Sequence, residues 1–206
     1  MLFPLPCIYP ITDRQLSSLS HSEQVAALSE GGARLIQLRD KSAASGEFYR
    51  EAAAALALGR RLGVRIIIND RVDIALALGA AGVHLGQNDM PPDAARKLLG
   101  EEAIIGLSTH NLEQALAAAE KPVDYIGIGP IFPTSSKEKS DPIVGLEGLR
   151  RVRQRVEMPI VAIGGITLAN AREVFDAGAN SVAVISAVLA DKSLITSRVS
   201  ALLSLS

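Results

Sequence analysis

The sequence predicts an α/β protein, a single (β/α)8 TIM barrel spanning residues 1–206. Three observations lead to this class. Short β-rich runs alternate with amphipathic helical segments along the whole chain. The runs are almost continuously apolar rather than alternating, as strands buried on both faces of a parallel sheet are. Eight strand–helix units fit into 206 residues, which leaves few insertions. An open doubly wound sheet is the alternative, and the strand count favours closure.

The strand candidates are residues 7–11 (CIYPI), 34–38 (RLIQL), 64–68 (VRIII), 82–85 (GVHL), 103–107 (AIIGL), 123–128 (VDYIGI), 160–163 (IVAI) and 181–185 (SVAVI). Helical patterns lie between them, for example over residues 46–62 and 112–119, with a last helix near 194–203. GGARLIQLR, GAAGVHLG and GANSVAVIS each place glycine at a helix end just before a strand, so they read as repeats of one barrel unit. No linker divides the chain.

Composition narrows the function. At 48% hydrophobic residues the chain is not disordered. A net charge of −1 gives no global field toward nucleic acid or membrane. Aromatic content of 3% and the absence of Trp exclude base-stacking platforms. The single cysteine, Cys7, fits a reducing compartment and reads as a small core hydrophobe. The proline-broken N-terminus lacks the basic start of a signal peptide, and no apolar run reaches the roughly 18 residues of a membrane helix. A soluble cytoplasmic protein acting on small molecules is expected.

In such a barrel the active site lies where the strands end. Nearly every polar residue of interest falls there. They are Gln37 to Lys41, Asn69 and Asp70, Gln87 to Asp89, Ser108 to His110, the segment 129–137, Gly164 and Gly165, and Ser186. Asp70 and Asp89 follow neighbouring strands, whose ends lie about 5 Å apart. Adjacent carboxylates repel unless a cation sits between them. Hard oxygen ligands without thiolates favour Mg²⁺. Each aspartate could instead cap the helix after it, and the two roles are compatible.

Arg39, Lys41, Lys137 and Mg²⁺, less the two aspartates, leave about +3, a match for a diphosphate monoester. Ser108 adds a hydroxyl, read as the start of a helix whose N–H groups favour phosphate. Gly164-Gly165 with Ile185-Ser186 form the usual barrel phosphate site. Two anion sites on one rim suggest a diphosphate donor and a phosphorylated acceptor. His84 reads as a pocket-wall residue, His110 as either a phosphate contact or a cap, and His21 as a surface residue away from the rim.

YPITD, IQLRDK, INDRVDIA, GVHLGQND, GLSTH, DYIGIGPIFPTSSK, VAIGGI and SVAVISA together resemble the thiamine phosphate synthase family over almost the whole chain. That family couples hydroxymethylpyrimidine diphosphate to hydroxyethylthiazole phosphate and releases pyrophosphate. The resemblance implies that Gln37, Leu38, Arg39, Asp40, Lys41, Asn69, Ser108 and Lys137 bind the pyrimidine diphosphate. It implies that Asp70 and Asp89 hold Mg²⁺, and that Thr134, Ser135, Ser136, Gly165, Ile185 and Ser186 bind the thiazole phosphate. Arg39, Lys41, Ser108 and Lys137 would act on the leaving group in a dissociative substitution. Thr134-Ser135-Ser136-Lys137 stands where the family often has Thr-x-Thr-Lys, and serine keeps the hydroxyl. The extra N-terminal helix common in the family is not seen before the first strand. A homo-oligomer is compatible with the resemblance, with its contacts undefined. The segment 129–145 has no apolar face and is expected to close over bound diphosphate. A thiazole tautomerase paralogue carries a histidine at Pro130 and tends to lack the metal aspartates. A regulatory barrel without turnover is the rival of another class.

Overall fold

The computed structural model describes residues 5–134 and 142–205, so Ser135, Ser136 and Lys137 lie outside the described residues. The chain runs β1 (Ile8–Pro10), α1 (Arg14–Ser17), α2 (His21–Glu30), β2 (Leu35–Leu38), α3 (Ser45–Leu62), β3 (Arg65–Asn69), α4 (Val72–Leu78), β4 (Gly82–Leu85) and α5 (Pro92–Leu99). It continues through β5 (Ile104–Thr109), α6 (Leu112–Ala119), β6 (Tyr125–Ile128), α7 (Gly145–Arg153), β7 (Ile160–Ile163), α8 (Ala171–Asp176) and β8 (Ser181–Val184). After β8 come α9 (Ser186–Leu189), a 3-10 turn (Lys192–Leu194) and α10 (Ile195–Leu203). Each expected strand is present; β4 and β7 keep the expected bounds, and the others are trimmed or extended by one or two residues at an end.

The eight strands pair in parallel in the order β1-β8-β7-β6-β5-β4-β3-β2. A parallel bridge between Ile11 and Gln37 joins the two ends. The Thr12 amide donates to the Gln37 carbonyl at 2.9 Å in the same seam. The barrel therefore closes, as eight buried apolar strands require.

Alternation along the strands makes two cores. Tyr9, Ile11, Leu35, Ile67, Ile104, Tyr125, Val161 and Ala183 pack inside the barrel. Ile8, Ile36, Leu38, Ile68, Val83, Ile126 and their neighbours pack outward against the helices. Cys7 is half-buried against this outer core, in line with its reading as a small apolar group.

Helices α1 and α9 go beyond one helix per strand. Each has only four residues, too few for a 3.6-residue period to show in sequence. Helix α1 is capped by Asp13, whose side chain accepts from the Leu16 amide at 2.9 Å. Helix α2 opens with a capping box between Ser20 and Glu23. The repeated glycines do take positive φ: 107° at Gly32, 60° at Gly79 and 105° at Gly178. This lets the chain reverse from helix into strand.

Arginines fasten the strand starts. Arg96 donates to the Ala103 and Pro122 carbonyls and to Asp124 Oδ2, which also accepts from the Ile105 amide at 2.7 Å. Arg153 does the same for Met158 and Asn180, and Asn180 Oδ1 accepts from the Ile160 amide at 2.9 Å. These charges are thereby used at the end of the barrel away from the site.

Candidate active site

The strand ends open into one cleft. Gln37 lines it from β2 and Arg39 from just beyond that strand, Asn69 from β3, His84 from β4, Ser108 from β5, Thr134, Gly165 and Ile185 from the later loops, and Ser186 from the start of α9. Strand register sets these positions. Asn69 lies opposite His84, His84 opposite Gly106, and Ser108 opposite Gly127. The glycines leave room for the polar side chains beside them.

Not every expected residue faces the cleft. Leu38 is fully buried among the outer-core residues. Asp40 turns its carboxylate into its own loop, where Oδ1 accepts from the Ser42 and Ala43 amides at 3.0 and 2.9 Å. Burial opposes ionisation of Asp40, but those amides hold it below the usual carboxylate range. Arg39 contacts Asp13 at 3.6 Å.

The rim aspartates come together with a lysine. Lys41 Nζ pairs with Asp70 Oδ2. Asp70 sits in the left-handed region at φ 62°, with its amide donating to the His84 carbonyl at 2.8 Å. Asp89 Oδ2 accepts from the Gly86 amide at 2.6 Å. Burial raises the Asp89 carboxyl above its usual range, and the nearby charge of Asp70 adds to this, while the Gly86 amide and Lys41 oppose it. Neither aspartate caps a helix. Arg71 precedes α4 and Pro91 precedes α5, both without a side-chain cap. The side chains are left for the rim instead.

This donor set fits a hard divalent cation. Two carboxylates oppose each other's ionisation, and a cation relieves that. Among the described residues no group of three or more His, Cys, Asp and Glu gathers, so water and substrate oxygens would supply the other ligands.

Three readings are corrected. Ser108 is not at a helix start: it belongs to β5, and Asn111 caps α6 by accepting from the Gln114 amide at 2.8 Å. His110 is not a cap; its Nδ1 bonds the Gly129 carbonyl at 2.8 Å. His21 is not on the surface: it is 0% exposed, with Nδ1 2.8 Å from Thr12 Oγ1 and Nε2 3.8 Å from Asp40 Oδ2. Helix α2 lays its first residue over the seam between β1 and β2.

His84 does form the pocket wall. Its Nδ1 lies 2.9 Å from Tyr125 Oη and its Nε2 2.8 Å from Ser108 Oγ. Tyr125 Oη in turn lies 3.0 Å from Tyr9 Oη, and Gln37 Nε2 donates to Tyr9 at 3.2 Å. The tyrosines were not singled out in the sequence. The available signal was two tyrosines and two glycines, Gly106 and Gly127, inside strand runs where aliphatic residues dominate.

Beyond β6 the chain folds against β7. The Ile131 amide donates to the Ile163 carbonyl at 2.9 Å, and Phe132 to Gly164 at 3.0 Å. Gly164 and Gly165 have φ of 101° and 65°. A Cβ on Gly165 would stand 2.6 Å from the Pro133 carbonyl. Glycine here allows the close approach that brings Thr134 to the cleft.

Comparison with known proteins agrees with this geometry. A family profile described as thiamine monophosphate synthase matches residues 8–188. The thiamine-phosphate synthase of Chloroflexus aurantiacus is 49% identical over 184 residues, covering 89% of this chain and 85% of that one. That of Chlorobium phaeovibrioides is 48% identical over 189 residues, covering 91% and 89%. The solved structure of thiamine phosphate pyrophosphorylase from Pyrococcus furiosus superposes with a TM-score of 0.87 at 41% identity, covering 96% of this chain and 94% of that one.

Proposed function

The chain belongs to the thiamine monophosphate synthase family, and on that premise we propose that its cleft joins hydroxymethylpyrimidine diphosphate to hydroxyethylthiazole phosphate, releasing pyrophosphate. It is a transferase of thiamine biosynthesis. The observation that carries the assignment of roles is the meeting of Lys41, Asp70 and Asp89 beside a cleft lined by Arg39, Asn69 and Ser108. Asp70 and Asp89 would hold Mg²⁺, which when bound neutralises charge on the departing diphosphate.

The C–O bond to the diphosphate breaks and its electron pair leaves with oxygen. The electron-rich aminopyrimidine carries the resulting methylene cation. Arg39, Lys41 and Ser108 stabilise the developing charge from fixed positions, which is where such contacts act most strongly. Lys137 is assigned the same role from sequence. The thiazole nitrogen then supplies the pair for the new C–N bond. Thr134, Gly165, Ile185 and Ser186 hold its distant phosphate, with Ser135 and Ser136 assigned there from sequence. No proton is removed, so no general base is needed. Gln37 holds the pyrimidine from the barrel floor.

One catalytic barrel domain over residues 1–206 and a cytoplasmic location, without nucleic-acid or membrane partners, complete the reading. Among the described residues no helix is long and apolar enough to cross a membrane. Incubation with both substrates and Mg²⁺ should yield thiamine phosphate and pyrophosphate in equal amounts. Isomerised thiazole without coupling, or binding without turnover, would replace this reading with one of its rivals.

A further inference from the structure

We propose that the hydrogen bonds inside the barrel run one way, from the Gln37 amide to the Ser108 hydroxyl, so that Tyr9, Tyr125 and His84 are positioning residues that present Ser108 as a donor to the bound anion. The clause about the anion rests on the function proposed above. The direction itself does not.

The direction follows from counting hydrogens. Gln37 Nε2 can only donate, so Tyr9 Oη, 3.2 Å away, accepts. Tyr9 has one hydrogen, which goes to Tyr125 Oη at 3.0 Å. Tyr125 has one hydrogen as well, which goes to His84 Nδ1 at 2.9 Å. That nitrogen is therefore the bare one. The neutral ring carries its proton on Nε2 and donates it to Ser108 Oγ at 2.8 Å. Ser108 accepts from beneath, and its own hydrogen is turned toward the cleft that it lines.

The far end makes the same demand. Diphosphate oxygens are ionised and only accept, so a serine facing them must donate. The reverse order would point the Tyr9 hydrogen at the Gln37 NH₂ group, where there is no acceptor. The Gln37 end thus selects one arrangement, with which an anion at the other end agrees, and hydrogen bonds in such a chain strengthen one another.

Burial keeps the chain in this form. Tyr9 and Tyr125 are 1% and 0% exposed, and burial pushes both phenols up, so each keeps its hydrogen through the neutral range. The junction exists because residue 106 is glycine. A Cβ there would stand 2.4 Å from Tyr125 Oη and 2.6 Å from His84 Nδ1.

The test is ring ¹⁵N spectroscopy of histidine-labelled, substrate-free protein. The chain has 3 histidines, and the His84 signals are assigned by their loss in His84→Asn. The expected result is protonated Nε2 and bare Nδ1 on His84. Protonated Nδ1 would overturn the proposal. Tyr9→Phe leaves His84 Nδ1 as the acceptor for the Tyr125 hydrogen, so there the ring should stay protonated on Nε2. Tyr125→Phe removes the donor that fixes Nδ1; it should let the Nδ1-protonated form appear and lower kcat about tenfold, with KM for the diphosphate within about twofold. An unchanged His84 ring in Tyr125→Phe would overturn the relay. Should the variant not fold, the wild-type spectrum decides alone. Failure to form thiamine phosphate would instead remove the function proposed above and leave the spectrum to judge the direction.

Discussion

Asp89 holds its carboxylate on the amide of Gly86, 2.6 Å away, and not on the start of the helix that follows it. That bond turns the carboxylate back toward Asp70, whose charge helps to keep the Asp89 carboxyl above its usual range, after burial. A pair that opposes its own ionisation lowers stability at neutral pH and favours a bound cation.

Asp89→Asn keeps an acceptor for Gly86 and removes the charge. The metal-free variant should melt at or slightly above the wild-type temperature at pH 7. The Mg²⁺ concentration for half-maximal rate should rise by at least about tenfold. Magnesium titrations of turnover beside melting curves check both. An unchanged magnesium dependence would remove Asp89 from the metal site.

Gly106→Ala should damage the fold and the site together. The new Cβ would lie 2.1 Å from Tyr125 Cζ, deep in a packed barrel. Overpacking of this kind costs about 1–3 kcal/mol. In a domain of this size that lowers Tm by several degrees, roughly 2–4 °C per kcal/mol. A variant melting like wild type would show that the barrel interior is looser than this packing implies.

The barrel was legible because its signal is local: an apolar run marks a strand whatever it packs on. The rim was legible because barrel geometry sends strand ends to one face, so Asn69, Asp70 and Asp89 could be grouped by position alone. The interior chain was not legible. Tyr9 and Tyr125 are 116 residues apart, and their contact depends on register around the whole barrel. The place of His21 is not legible for a similar reason. Its burial depends on Thr12 and Asp40, which belong to other segments. The turned-in carboxylate of Asp40 illustrates the limit of motif reading, since IQLRDK does not say which of its residues face the cleft.

His21 should make stability depend on pH. Burial lowers its pKa below the ordinary 6.5, against the pull of Asp40 and Glu51 and with that of Arg14. The unfolded chain therefore takes up a proton near 6.5 that the folded chain refuses. Stability from this residue is complete above that value and is lost as pH falls toward the lowered folded pKa. His21→Gln should flatten the fall in Tm between pH 7 and the onset of carboxylate titration. Parallel wild-type and variant curves across that window would show that His21 takes up its proton as readily in the folded state as in the unfolded one.

Lys41→Ala separates stability, metal and chemistry. The Lys41 side chain is 57% exposed, so its pair with Asp70 contributes about 1 kcal/mol or less. Tm should stay within about 2 °C of wild type. Without metal, the ammonium occupies the carboxylate that Mg²⁺ would take, and removing it relieves both competition and repulsion. The magnesium concentration for half-maximal rate should therefore stay the same or fall, opposite to Asp89→Asn. Turnover should still drop by about a hundredfold, because a fixed positive charge no longer meets the departing diphosphate. Measured with saturating substrates, the two variants bracket the rim: one loses metal affinity, the other loses rate at full metal occupancy. If Lys41→Ala needs more magnesium than wild type, Lys41 supports the metal site, and its assignment to the leaving group is wrong.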